Sequence, residues 1–403
     1  MRFLLFVFFI GVSYCFAQSV KDTNHINYIE THEQFIPCLQ STHPLGVFIS
    51  RVQHNFQKEA AKKISFSFNV SSGNVWLPYV KAYKPVNESD KDVLSSYVWH
   101  ERETYFDELN TPARTIEFIA DGVIRLYQLE LNIPLSANQE LKINSRAISL
   151  DPGKPPFSLL TSDQFIEWFH SNIAGGEDPF GRKVHGLNRT DFFYKDENGK
   201  TLKIKNGDLV LTGIDISYYY YPRFNVLQKK GFYTNFGIQL GANLSPANPS
   251  MDIGINSSLM KQFKLRKKND IHIGLSAGAL LQKVLKTGEG VLLSNNNFIF
   301  TAELFLSYRK QIGTKSSISI TTTYFLQSPY NKRKDFEYIV LTGDRIRPHW
   351  HYALSHLYRM LTCHNFIISY SRGAYSIAVY LREDLYVDNA PDSQTGIAFH
   401  IAF

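Results

Sequence analysis

The sequence predicts an all-β chain: a transmembrane antiparallel β-barrel of about fourteen strands, with twelve to sixteen as the range. Three observations predict it. Segments of the C-terminal half alternate apolar and polar residues over long runs, the links between them are short and long by turns, and the second half is rich in Tyr and Phe near the segment ends. Past the N-terminus no apolar stretch reaches the roughly 18 residues that a membrane helix needs, so strands are left as the spanning element.

The clearest strand is the segment in which Phe232, Thr234, Phe236, Ile238, Leu240, Ala242 and Leu244 alternate with Tyr233, Asn235, Gly237, Gln239, Gly241 and Asn243. A period of two marks extended chain with one greasy and one polar face. The pattern recurs with Ile271, Ile273, Leu275, Ala277, Ala279 and Leu281, then over 298–308, 318–326 and 375–381. It ends with the closing TGIAFHIAF, where Ile397, Phe399, Ile401 and Phe403 alternate with small residues and His400. Sandwiches alternate too, but their strands cluster near about 5 or 6 residues, whereas a tilted membrane strand needs about 9 to 11. A closed barrel is the sheet that lies in lipid with every backbone group bonded.

From the start of the chain, MRFLLFVFFIGVSYCFAQ carries Arg2, an apolar run and the small-x-small triplet Cys15-Phe16-Ala17. This predicts a secretory signal peptide, residues 1–17, with the mature chain as one domain from Gln18. Acylation of Cys15 is the rival reading, disfavoured by Tyr14 where a small residue is wanted. Cys38 and Cys363 remain, either paired in an oxidising compartment or independent. The formal charge of +7, from 43 Lys+Arg against 36 Asp+Glu, is spread along the chain and does not point to nucleic acid.

Strands are expected over 47–54, 64–71, 115–120, 123–134 and 140–150, with Asp121-Gly122 as a hairpin turn between the third and fourth. The pattern does not place residues 72–113. TSDQFIEWFHSNIAGG sets Phe165, Ile166, Phe169 and Ile173 at helical spacing after Ser162, a good N-cap, and stops at Gly175-Gly176. This short helix falls in a long loop of about 151–206, and loops of that size usually carry function or fold onto something. Further strands follow over 209–221, 251–263 and 365–371. With the C-terminus in the periplasm, the links RKKND, GTKS and SRGA are inside and short, while KTGEGVLLSNN, residues 329–361 and DNAPDS are outside. Short periplasmic turns and long external loops are the outer-membrane pattern. The same parity puts the helix outside, over or in the barrel mouth.

Phe165 to His170, Gly181-Arg182, the Gly122 hairpin and the aromatic C-terminus resemble a Gram-negative outer-membrane barrel family catalogued as a domain of unknown function. Ala174 to Pro179 departs from the tighter turn expected there. The resemblance implies a barrel in the outer membrane and a terminal Phe403 available to the barrel insertion machinery; it implies no activity. The Ala17-Gln18 junction looks like those of secreted Bacteroidetes proteins.

Candidate chemistry is sparse. In the loop helix, Glu167 and His170 stand three residues apart as metal ligands can, with Arg182 downstream, but no second pair completes a site and packing is the favoured reading. His349, His351 and His356 read as a solvated aromatic loop before a metal site. Ser355, His356 and His400 offer parts of a hydrolase, yet sequence neighbours on a strand face opposite ways. No catalytic residue, metal or cofactor is assigned, and the residues lean toward a non-enzymatic role without deciding it. Asp215, His272, Glu303, Arg309 and Arg382 fall on polar strand faces as lumen-lining candidates, either pairing across strands or forming a charged constriction. Tyr218 to Tyr221 reads as an interfacial girdle. The expected function is a pore or channel for a small-molecule solute, the alternatives being an envelope assembly or binding component and a lipid hydrolase. The expected partners are outer-membrane lipid and the insertion machinery, without nucleic acid, and the expected state is a monomer.

Overall fold

The structure, a computed structural model, describes residues 35–37, 43–154, 158–174, 176, 182–265, 269–342, 358–383 and 393–403. Its fifteen strands form one sheet. Setting aside three short strands that flank the ring, β4 (Asp191–Lys195), β5 (Thr201–Ile204) and β12 (Val340–Thr342), twelve remain and close a barrel. These are β1 (Ser65–Pro85), β2 (Ala113–Ser136), β3 (Gln139–Asp151), β6 (Leu209–Tyr220), β7 (Phe232–Asn243) and β8 (Ser250–Lys264), followed by β9 (Asn269–Lys286), β10 (Phe298–Gln311), β11 (Ser316–Gln327), β13 (Leu361–Arg372), β14 (Tyr375–Glu383) and β15 (Ser393–Ala402). Every pairing is antiparallel, and the ring shuts where β15 pairs β1, from Ser65↔Ala402 to Gly73↔Gln394. The terminal strand expected from TGIAFHIAF is that closing strand.

The greasy faces point outward. Ile238, Leu275, Leu304, Ile320, Ile368 and Val379 stand on different strands and are each about half exposed. An apolar belt running round a whole barrel far exceeds the few hundred Å² that soluble monomers leave open, and lipid is the medium that accepts it. The inward faces are mostly Asn, Ser, Thr, Gln, Gly and charged residues, with buried apolar ones such as Phe305, Phe325 and Ile367 among them. Links at the end that holds Phe403 are mostly short, such as 137–138, 312–315 and 373–374, and the long ones lie at the other end. We call these the periplasmic and extracellular ends.

Four sequence expectations change. Of residues 47–54, Val47 and Phe48 end a 3-10 turn over Gly46–Phe48 and the chain is extended only from Ile49; none pairs with a strand, and the segment runs through the barrel interior. Asp121-Gly122 is no turn, because both residues lie inside the single strand β2. Gly122 there adopts φ +132, and a Cβ would come within 3.2 Å of Leu150. The unplaced residues 72–113 continue β1 to Pro85 and then form short helices at Glu88–Ser95 and Arg102–Tyr105. Finally, the loop helix neither caps nor enters the mouth. It forms at Asp163–Phe169, with the Ser162 hydroxyl accepting from the Phe165 amide, and runs on as a π-helical turn through Ala174. Ser158 and Thr161 bond the Ser72 hydroxyl at 3.0 and 2.7 Å, and Asp163 accepts from Asn74 at 2.8 Å. Ser72 and Asn74 are on the outward face of β1, so the loop lies against the outside of the β1–β2 pair.

The mouth is closed differently. Above the membrane belt, the inward faces of β1 and β2 turn apolar, with Val75, Leu77, Val80, Phe118, Ile124 and Leu126 all buried. They form one core with Phe192, Tyr194, Leu293, Tyr330 and Ile339 from the outer loops, and with Leu45, Val47, Phe48, Ile49 and Val52 from the segment before β1.

Candidate functional site: a plugged lumen

That segment, residues 43–61, occupies the barrel interior. From Ser50 to Phe56 its side chains alternate against the wall made by β7, β8 and β9, where glycines leave room for them. A Cβ on Gly241 would collide with Ser50, one on Gly278 with Val52 at 2.7 Å, and one on Gly274 with Phe56 at 2.7 Å. Phe56 then stacks on Phe305 with ring centroids 4.6 Å apart.

Because the plug pairs with no strand, its backbone groups must find other partners. Wall side chains supply them. The Gln239 amide donates to Arg51 O at 2.9 Å and accepts from the Gln53 amide at 3.2 Å. Tyr219 and Asn256 both donate to Gln53 O, at 2.8 and 3.1 Å, Asn235 donates to Asn55 O at 2.8 Å, and Asn248 to Phe48 O at 2.9 Å.

Two charged groups anchor the plug at different heights. Toward the extracellular side, the buried Arg146 on β3 pairs with Asp215 at 2.8 Å. Its guanidinium also donates to Val47 O at 3.4 Å, Ile49 O at 3.2 Å and the Ser50 hydroxyl at 3.2 Å. Toward the periplasm, the fully buried Glu140 accepts from Tyr221 at 2.5 Å, from the Ala61 amide at 2.9 Å and from Asn55 at 3.3 Å. Lys142 lies 3.5 Å from the same carboxylate. These two anchors were missed, although Glu140, Lys142, Asn144 and Arg146 form a polar row at period two that marks a lumen face.

Asp215, His272, Glu303, Arg309 and Arg382 all face the interior and are buried. The structure sorts them into three groups. Asp215 belongs to the Arg146 anchor. Arg309 stands directly opposite Asp270 across the β9–β10 pair, with His272 one step along the same face. Glu303, which is bonded to Thr323, faces both Arg382 and the plug's Arg51. Arg51 lies 3.6 Å over the Phe325 ring, while Arg382 donates to Gln394 and to the free thiol of Cys363, each at 3.2 Å. The charges therefore pair with neighbours or with the plug and do not ring one open constriction.

Between the plug and the opposite wall lies a cavity of about 80 Å³, lined in part by Glu130, Lys142, Glu303, Phe325, Ser67 and His400. Ser67 and His400 are cross-strand partners with the hydroxyl 2.9 Å from Nδ1. They face the lumen, away from the acyl chains that a lipid hydrolase has to reach.

In the loop outside the barrel, Arg182 is buried, donates to Asn74 at 3.2 Å and lies over the Trp76 ring. Glu167 pairs with Lys183 at 3.1 Å. His170 adjoins Phe169, and no group of three or more metal-ligating side chains occurs among the described residues. His349, His351, Ser355, His356, Cys38 and the signal segment lie outside the described residues.

No protein-family model and no curated protein matches the sequence. Among solved structures, the fold is similar to an outer-membrane channel from Pseudomonas putida F1, at 9% identity and a TM-score of 0.39 over 87% of this chain and 99% of that one. It is also similar to a bacterial polysaccharide outer-membrane secretin, at 7% identity and TM-score 0.33 over 85% and 98%. A third likeness is the β-domain of a Bordetella autotransporter, at 6% and 0.32 over 84% and 99%. These likenesses concern shape alone. The ring of twelve antiparallel strands, its lipid-compatible exterior and its polar interior make the chain an outer-membrane β-barrel whose lumen is filled by its own N-terminal segment.

Proposed function

We propose that the protein is a gated outer-membrane channel for small polar solutes, with residues 43–61 as the gate. One observation carries this reading: the plug is held by side chains and not by a strand ladder, so it can leave without unzipping a barrel seam. Its seat is polar along the lower lumen, as a wall wetted in another state would be. Burying Leu45, Val47, Phe48, Ile49 and Val52 in the outer cap stabilises the closed state by roughly 10 kcal/mol at about 2 kcal/mol each. The resting protein is therefore shut and opening needs a trigger. Exported Gram-negative origin, with cleavage after Ala17, belongs to the same reading.

Planar-bilayer recording of the wild type and of a chain lacking residues 43–61 tests it. The wild type is expected to be nearly silent and the deletion to conduct in steps. A deletion that still shows the heat-dependent gel migration of a folded barrel, yet carries no current, refutes the channel. The extensive outer cap favours a second reading, a closed scaffold whose loops bind an envelope partner, and that reading predicts such silence.

A further inference from the structure

The outer loop over 158–174 has two faces. Thr161, Asp163, Ile166 and Glu167 are buried against the β1–β2 pair, whereas Leu159, Leu160, Trp168, Phe169 and Ile173 remain between 41% and 64% exposed. Phe165, half-buried, packs beside this set, its ring centroid 5.9 Å from that of Trp168 and 6.2 Å from that of Phe169. This apolar surface stands at a particular height. On the outward face of β1, Phe66, Phe68 and Val70 belong to the lipid belt, and the next outward residue is Ser72, the one that Ser158 and Thr161 bond. On the adjoining β2, Leu129 in the belt gives way to Tyr127 and then to Arg125, which pairs with Asp151 at 2.6 Å. Lipid contact therefore ends where the loop begins, and Leu159 and Leu160 sit at that edge.

We propose that this loop is an interfacial foot, laying Leu159, Leu160, Phe165, Trp168, Phe169 and Ile173 into the headgroup and acyl boundary of the outer leaflet beside β1 and β2. The occupant is lipid because the patch continues the barrel's own lipid-facing surface. Trp and Phe at a membrane edge place a rigid apolar ring where the medium changes from acyl chain to water. The buried Arg182, stacked on Trp76 and bonded to Asn74, fixes the foot to the strands, so its height above the belt is set by the barrel.

Tryptophan emission in vesicles tests the proposal with the full chain. Wild type and Trp168→Phe are each reconstituted into phosphatidylcholine and into phosphatidylcholine brominated near the headgroup. The difference between the two proteins isolates Trp168 from the other tryptophans. That component is expected to lose most of its intensity in brominated lipid and to resist iodide. In a Leu159→Glu, Leu160→Glu variant the loss is expected to shrink while iodide gains access. Equal emission in both lipids overturns the foot. If iodide then quenches Trp168 the patch faces water, and if neither quencher reaches it a protein surface covers it. Heat-dependent gel migration shows that each variant is a folded barrel.

Discussion

Removing the Arg146 anchor while leaving the barrel intact isolates what holds the plug. Arg146→Met alone strands Asp215 as a buried carboxylate and costs about 3 to 5 kcal/mol, which endangers the fold itself. Arg146→Met with Asp215→Asn removes both charges together and avoids that penalty. What the double variant loses at the plug is the set of bonds to Val47 O, Ile49 O and the Ser50 hydroxyl, made at 3.4, 3.2 and 3.2 Å. At about 1 kcal/mol net for each, the loss is about 3 kcal/mol. One tenfold change corresponds to about 1.4 kcal/mol, so local opening around residues 47–50 should rise by about two decades. Hydrogen exchange with mass spectrometry reads this directly. Peptides that cover residues 47–50 should exchange about a hundredfold faster, in line with that 3 kcal/mol, while peptides from β9 to β11 keep wild-type protection. Conductance should hardly move, because the apolar half of the plug remains buried. Plug peptides that exchange at the wild-type rate would show that Arg146 does not hold the segment, and the anchor argument would fail.

Other outcomes follow from the same geometry. Gly274→Leu sets a side chain where Phe56 now lies, 2.7 Å from the glycine's Cβ direction, so it should expel the lower plug and raise single-channel conductance in bilayers. Glu140→Gln keeps the shape but weakens the bonds from Tyr221 and the Ala61 amide; protease cleavage between residues 53 and 61 should accelerate severalfold relative to wild type. Leu304→Arg puts a charge on an outward residue midway along β10, and urea titration of refolding into vesicles should show a loss of about 2 to 4 kcal/mol. Deleting Phe403, whose amide bonds Ile64 O at 2.9 Å, should lower the folded fraction recovered from membranes, measured by the unheated gel band.

The barrel was legible because one face of each C-terminal strand meets lipid along its whole length and the other meets a polar interior, so alternation persists without interruption. The same logic misreads residues 47–54. Ser50, Val52 and Phe56 alternate because the chain is extended against a wall of Gly241, Gly254, Gly278 and Gly274, and a period of two reports extension, not pairing. The glycines on the polar faces were visible in the sequence, but their use as a seat depends on contacts far apart along the chain, such as Ser50 with Gly241 and Val52 with Gly278. Asp121-Gly122 has the composition of a tight turn, yet Ala120, Gly122 and Ile124 keep facing the same side, which is what a continuous strand requires. Residues 72–85 resisted placement because this end of β1 is covered on both faces, by the outer loop and by the cap core, and a shift between Leu77 and Val80 breaks the alternation. The lumen charges were found on the strands with the cleanest patterns. Arg146 and Glu140 were passed over in a half where the pattern was weaker.

The plug leads within a few residues into β1, and β1 is sealed by the last strand of the chain. The wall can become continuous only after Phe403 has been delivered, and a plug that is not inside by then has to enter lengthwise through the periplasmic end, the route by which it also leaves. Biogenesis and gating thereby share one path. A molecule whose plug arrives late closes first around water and leaks until the segment is seated.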